Sequence, residues 1–185
     1  MRAFFKFGLI GLFLFFSACA STTKTSATPE ELAAFEKMVD NQQFEMNATW
    51  AQPMATQSLN SIANAGLLPP GSTANRIDIT GTGGYLRMWD GKVKADLPFF
   101  GERRMGGTYS SDKVGIKFDG EPTDLTFEPA KKGSGYTVKF NISEGAESYQ
   151  VVANIYPNQS ARLMVASSQR TNIWYQGNLS EYTPE

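Results

Sequence analysis

From Gln43 onward the apolar residues recur at every second position, and this spacing constrains the fold more than any other feature of the chain. Alternation of apolar and polar side chains marks a strand with one buried face. The sharpest case flanks Asp90-Gly91, a dipeptide suited to a two-residue hairpin turn because both residues tolerate positive φ. A turn there pairs Trp89 with Lys92, Met88 with Val93 and Leu86 with Ala95. Leu86, Met88, Val93 and Ala95 then share a buried face, while Tyr85, Arg87, Trp89, Lys92, Lys94 and Asp96 share a wet one. A slip of one residue would invert the sorting, so the pattern fixes the register.

The same alternation predicts strands over residues 43–50, 74–80, 114–118, 124–128, 136–142, 147–156, 161–167 and 172–177. Phe44, Met46, Ala48 and Trp50 fall on one side of the first. A four-residue loop at 143–146 pairs Phe140 with Tyr149 and Val138 with Val151. At Asn158-Gln159, a strict two-residue turn would set Ile155 opposite Arg162. A three-residue loop or bulge sets Ile155 opposite Ala161 and Ala153 opposite Leu163, and burial favours that choice.

Two stretches break the period. Thr28-Pro29-Glu30-Glu31 reads as a capping box with proline at the first helical position. Leu32, Phe35, Met38 and Val39 follow at helical spacing, predicting a helix over 29–41. Leu59, Ile62 and Ala63 suggest a short helix over 57–65 ended by Gly66. The expected fold is mainly β: an antiparallel meander of about nine or ten strands, forming a sandwich or barrel-like sheet, with one N-terminal helix. Without residues 1–18, the remainder of the 185-residue chain suffices for one domain that buries about 70% of its unfolded surface.

The start of the chain is different. Met1-Arg2-Ala3-Phe4-Phe5-Lys6 is cationic, residues 7–16 are apolar, and Phe16-Ser17-Ala18 leads into Cys19, the one cysteine in the sequence. The apolar run is about half the roughly 20 residues a membrane-spanning helix needs, and its layout is that of a secretory signal. The expectation is a lipoprotein: residues 1–18 a signal peptide, 19–28 a lipidated Cys19 and flexible Ser/Thr-rich tether, and 29–185 a single β-rich domain. Two or more acyl chains, palmitate among them, would hold it stably in a bilayer.

The chain has no histidine. That excludes a Ser-His-Asp triad, a Cys-His pair and every histidine-containing zinc site. It also removes the commonest general base near neutral pH. Carboxylate pairs, Ser-Lys dyads and all-oxygen metal sites remain, so a carboxylate-dependent hydrolase is the least favoured reading. The residues call for no cofactor and no metal. A net charge of −1 without a basic stripe argues against nucleic acid.

Three blocks carry a family likeness: Leu67-Leu68-Pro69-Pro70-Gly71-Ser72-Thr73-Ala74-Asn75-Arg76, Leu97-Pro98-Phe99-Phe100-Gly101-Glu102-Arg103-Arg104-Met105-Gly106-Gly107 and Gly115-Ile116-Lys117-Phe118-Asp119-Gly120. Over residues 30–180 the chain resembles the Bacteroidota envelope proteins grouped as domain of unknown function 4251. The resemblance implies an envelope location and brings no established activity. Acidic residues after the lipidated cysteine often direct export to the surface in that lineage, and Ala20-Ser21-Thr22-Thr23-Lys24 has none. It therefore implies an outer-membrane lipoprotein facing the periplasm.

The long link at 99–113 is the leading candidate site, since links of this length without their own structure are often functional. Phe99, Phe100, Arg103, Arg104 and Tyr109 would form a binding surface for an anionic or amphiphilic ligand, with Gly106-Gly107 as a hinge. Alternatively Phe99 and Phe100 close the core while the arginines are solvated; alternation along an extended chain would bury one phenylalanine and expose the other. Leu67–Pro70 is either a docking knob or a loop folded over the sheet. Gly81-Thr82-Gly83-Gly84 reads as a turn or bulge. Asp112, Asp119 and Asp124 lack the spacing of a calcium loop, and residues 131–135 read as a hairpin loop. The favoured function is a non-enzymatic, membrane-anchored binding module for an amphiphilic small molecule or an envelope protein. The alternative is a structural or assembly lipoprotein of the outer membrane that uses Tyr85, Arg87, Trp89 and Leu67.

Overall fold

The computed structural model describes residues 27–104, 114–131 and 134–184. The signal segment, Cys19, most of the tether, Gly106, Gly107, Tyr109 and Asp112 lie outside the described residues.

Helix α1 (Pro29–Asn41) begins with the capping box its sequence encodes. The Glu31 backbone N–H donates to Thr28 Oγ1 at 3.2 Å, and the Thr28 N–H donates to Glu31 Oε2 at 2.7 Å. Phe35, Met38 and Val39 are buried, while Leu32 lies off the buried stripe. The strands are β1 (Phe44–Pro53), β2 (Ile77–Asp78), β3 (Tyr85–Trp89), β4 (Lys92–Leu97), β5 (Ile116–Gly120), β6 (Thr123–Pro129), β7 (Tyr136–Glu144), β8 (Glu147–Ile155), β9 (Ser160–Ser167) and β10 (Ile173–Ser180). A second helix, α2 (Gln57–Asn64), follows β1.

All ladders are antiparallel, and the sheet runs β5-β4-β3-β1-β10-β9-β8-β7-β6, with short β2 paired to β1. The first and last strands thus meet at the centre, between two meanders. β5 and β6 are the two edges, yet only Glu121-Pro122 separates them in sequence. A link that short spans at most about 10 Å, so the sheet must curl until its edges approach. Phe118 on β5 accordingly sits 6.1 Å from the ring of Phe140 on β7 and 5.6 Å from Tyr149 on β8. The result is a half-barrel, intermediate between the sandwich and the closed barrel that alternation alone allows.

The predicted registers can be checked pair by pair. The Asp90-Gly91 turn pairs Trp89 with Lys92, Met88 with Val93 and Leu86 with Ala95, with both turn residues at positive φ. Ile155 faces Ala161 and Ala153 faces Leu163, through a loop in which Gln159 takes the left-handed conformation. The β7–β8 turn corrects the expected four-residue loop: Glu144 pairs with Glu147 around Gly145-Ala146, so Phe140 faces Val151 and Val138 faces Ala153. Gly145, at φ 59, makes the tighter turn. The buried face survives because the shift is two residues, one full strand period. Trp50 also departs from expectation. A bulge between Ala48 and Trp50 turns Ala51 inward and leaves Trp50 half-buried, with the Arg76 guanidinium 4.0 Å from its ring centre.

The core is one continuous cluster running from Phe44, Met46 and Leu86 through Ile77, Val93 and Ile116 to Phe140, Val151, Leu163, Ile173 and Tyr175. Helix α1 lies across the end where β1 begins and β10 finishes: the Gln43 N–H donates to Met38 O, Phe35 packs 6.0 Å from Tyr136 at the start of β7, and Lys37 approaches Glu181 at 3.7 Å. Helix α2 and the β4–β5, β7–β8 and β9–β10 connections belong to the opposite, far end.

Candidate functional site

The link that follows β4 is fastened to the far end at both of its described margins. After Leu97 the chain leaves the ladder, and Tyr175, fully buried on β10, donates its hydroxyl hydrogen to Pro98 O at 2.8 Å. Glu102, Arg103 and Arg104 then lie along the β9–β10 connection. The Thr171 N–H donates to Glu102 O at 3.0 Å, the Arg104 N–H donates to Gln169 O at 2.7 Å, and Arg103 bridges Arg170.

Arg170 is the centre of this arrangement. It is 2% exposed. Its Nε donates to Glu147 Oε1 at 2.8 Å and a terminal nitrogen donates to Oε2 at 3.1 Å, a bidentate pair across 23 residues of sequence. The other terminal nitrogen donates to Val114 O at 3.2 Å and Gly115 O at 2.8 Å, on the returning side of the link. The guanidinium carbon lies over the Phe99 ring, 5.2 Å from its centre. One side chain thus gathers the start of β8, the beginning of the link and its return. Gly115 lets the returning chain pack against the end of β4, because a Cβ there would stand 2.7 Å from Leu97 O.

Glu147 is 7% exposed and also accepts from the Ser167 hydroxyl. Burial alone would raise its carboxyl pKa, but the hydrogen bonds from Arg170 and Ser167 and the Arg170 charge outweigh that and hold it below the ordinary glutamate value. Burial and the Glu147 charge push the Tyr149 hydroxyl up, and burial does the same to Tyr175. Both remain neutral phenols across the physiological range. With its oxygens bound by Arg170 and Ser167, the carboxylate serves as an anchor.

The candidate surface therefore differs from its sequence reading. Phe99 and Phe100 are both half-buried and pack against the core, so the expected split into one buried and one exposed phenylalanine does not occur. Tertiary contacts on both sides of the link override the alternation of an isolated strand. Arg103 and Arg104 are both exposed, and Arg103 donates to Gln169 Oε1 at 3.1 Å and lies 3.9 Å from Glu147 Oε2. Tyr109 lies outside the described residues. The structure adds Glu147 and Arg170, which the sequence reading passed over. One signal was present: Glu147 shares its strand parity with Tyr149, Val151, Ala153 and Ile155, so it sits on the buried face.

Other candidates resolve separately. Leu67 is 74% exposed while its neighbour Leu68 packs on the core, so the segment is knob and cover at once. The wet aromatic face is engaged by the chain's own tail: Trp89 lies 5.3 Å from Tyr182, and Arg87 sits over Tyr85 and Tyr182 while pairing with Glu45. Asp119 pairs with Lys94 at 2.7 Å and Asp124 accepts from Asn141 at 2.8 Å, so these two carboxylates are engaged separately. The Thr82 N–H closes a turn onto Ile79 O at 3.0 Å. Among the described residues, grooves open at the far end. One of about 260 Å³ lies between Gly83-Gly84, Pro98 and Lys117, and one of about 460 Å³ lies between α2 and residues 72–75.

Fold and site together define a β-rich half-barrel whose long link is clamped by a buried arginine. The chain belongs to the family described as domain of unknown function (DUF4251), whose model matches residues 27–179, from the cap of α1 into the end of β10. It is similar in fold to a DUF4251 family protein from Bacteroides eggerthii DSM 20697, known from a crystal structure. The TM-score is 0.55 at 13% identity, covering 82% of this chain and 88% of that one. No curated protein matches the sequence.

Proposed function

We propose that this protein is a lipid-anchored, non-enzymatic binding module of the cell envelope, tethered through Cys19 and working at the end remote from its tether. The observation that carries the reading is the contrast between the ends. The segment from Cys19 enters at the N-terminus of α1, which closes one end of the half-barrel. The other end holds Phe99, Phe100, Arg103 and Arg104 on a base fixed by Arg170. Among the described residues, buried apolar side chains pack the inward face of the sheet, and this favours recognition at the far-end surface. An assembly role through Tyr85, Arg87 and Trp89 is less favoured, because Tyr182 covers that face.

Two experiments test the two halves. Cys19→Ser should abolish membrane association without unfolding the domain, as read by fractionation and circular dichroism; membrane-bound, acylated mutant protein would end the anchoring proposal. A photoreactive side chain in place of Arg104 should give discrete adducts in the intact envelope, and one in place of Lys37 should not. Adducts from position 37 alone would reverse the orientation.

A further inference from the structure

Between Glu45 and Arg76 the chain carries no charged residue, although 19% of the whole sequence is Asp, Glu, Lys or Arg. The run covers most of β1, all of α2 and the turn before β2. It is rich in side chains that both donate and accept: Asn60, Asn64, Ser72, Thr73 and Asn75 among them. The fold brings these together. The groove of about 460 Å³ is lined by Asn60 and Asn64 on one wall and Ser72, Thr73 and Asn75 on the other, with alanines between.

The spacing explains the walls. Asn60 and Asn64 are one helical turn apart and so share a face of α2. Leu59, facing the core, fixes the rotation of the helix, and the Thr56 hydroxyl caps it by accepting from the Leu59 N–H at 3.2 Å. The helix stops in a paired closure: the Gly66 N–H donates to Ala63 O at 3.0 Å and the Leu67 N–H donates to Ile62 O at 3.2 Å. Ile62, 41% exposed, and Leu67 are the two apolar positions that meet beside such an ending. The facing wall is held by Thr73 Oγ1 donating to Asn75 Oδ1 at 2.7 Å and by the Asp78 N–H donating to Ser72 Oγ at 2.9 Å. The groove is thus preformed, neutral and rich in amides and hydroxyls, with alanines as its apolar lining.

We infer that this groove binds an uncharged saccharide chain. A charged ligand would lose hydration on entering and find no counter-charge in the lining. A polyhydroxylated neutral ligand matches the lining, because each sugar hydroxyl both donates and accepts, as the amides and hydroxyls of the walls do. The volume lies within the range of small-ligand sites. The inference deepens the binding-module proposal, since α2 stands at the end of the half-barrel away from α1 and the tether.

The test uses the full chain extracted from membranes in neutral detergent. It should be retained on insoluble chitin or amylose, released by the matching soluble oligosaccharide, and pass through sulfated dextran. The double variant Asn60→Ala, Asn64→Ala should bind about tenfold more weakly with an unchanged thermal transition. Leu67→Ser, outside the lining, should keep most of the affinity. Failure of the wild type to bind either neutral polymer would overturn the saccharide assignment, as would binding that is indifferent to the two asparagines. If Leu67→Ser instead removes a protein adduct formed in the native envelope, the site is a protein-docking surface; the binding-module proposal then stands while the saccharide assignment falls.

Discussion

The two ends of the half-barrel are held by different physics. At one end, α1 docks Phe35, Met38 and Val39 onto the core, and its start is secured by a capping box within four consecutive residues. At the other, Arg170 and Glu147 form a buried pair that draws in backbone carbonyls from Val114 and Gly115, more than 50 residues away in sequence. Apolar burial tolerates partial loss, because it is shared among several side chains. A buried charge pair does not, because removing one partner strands the other without water. The first end is therefore robust, and the second is cooperative and titratable.

The largest expected effect follows from that asymmetry. Arg170→Ala should destabilise the domain by about 3–5 kcal/mol in denaturant unfolding, because Glu147 is left buried with only the Ser167 hydroxyl and the more distant Arg103 charge to compensate it. Replacing both partners, as Arg170→Met with Glu147→Leu, should cost clearly less than Arg170→Ala alone. Equal losses would mean that packing, and not charge, holds the far end.

Acid sharpens the same contrast. The Glu147 carboxyl titrates below its ordinary value of 4.5 in the folded protein. Its stabilisation is complete above the unfolded value and is lost as pH falls through the lower folded one. Stability should therefore decline on acidification below about pH 4.5, and Glu147→Gln should flatten that part of the profile. A Glu147→Gln profile as steep as wild type would remove the clamp from the account of acid sensitivity.

The link itself should respond at an intermediate level. Phe99→Ala and Phe100→Ala should each cost about 1–2 kcal/mol, below the 3–5 of a fully buried phenylalanine, because both rings are half-buried. Values that differ by more than about 2 kcal/mol between the two would restore the one-in, one-out arrangement. The smallest effect lies at the opposite end. Thr28→Ala removes one cap and should cost about 1 kcal/mol, with no change in pH dependence. A pH-dependent loss there would show that the ends are coupled.

What was legible in the sequence was whatever repeats or resolves locally. Strand alternation, the Asp90-Gly91 turn and the Thr28 capping box depend on residues within a few positions of each other, so they set the elements, the buried faces and most registers. Alternation predicts a β7–β8 loop two residues longer than the one the fold adopts, at no cost to the buried face, since either length keeps Phe140 and Val151 pointing inward. Trp50 was misplaced because a bulge depends on how β1 meets β10, which no local pattern encodes.

Tertiary structure alone decided the curl and the clamp. That β1 would sit between β3 and β10, and that the edges β5 and β6 would approach, depends on which ladders form among distant strands. The partner of Glu147 was equally hidden: the sequence marks it as a charge on a buried face, but a guanidinium able to satisfy it can come from anywhere in the chain. Alternation tells a side chain to leave water. Only the folded arrangement supplies the groups that it meets there.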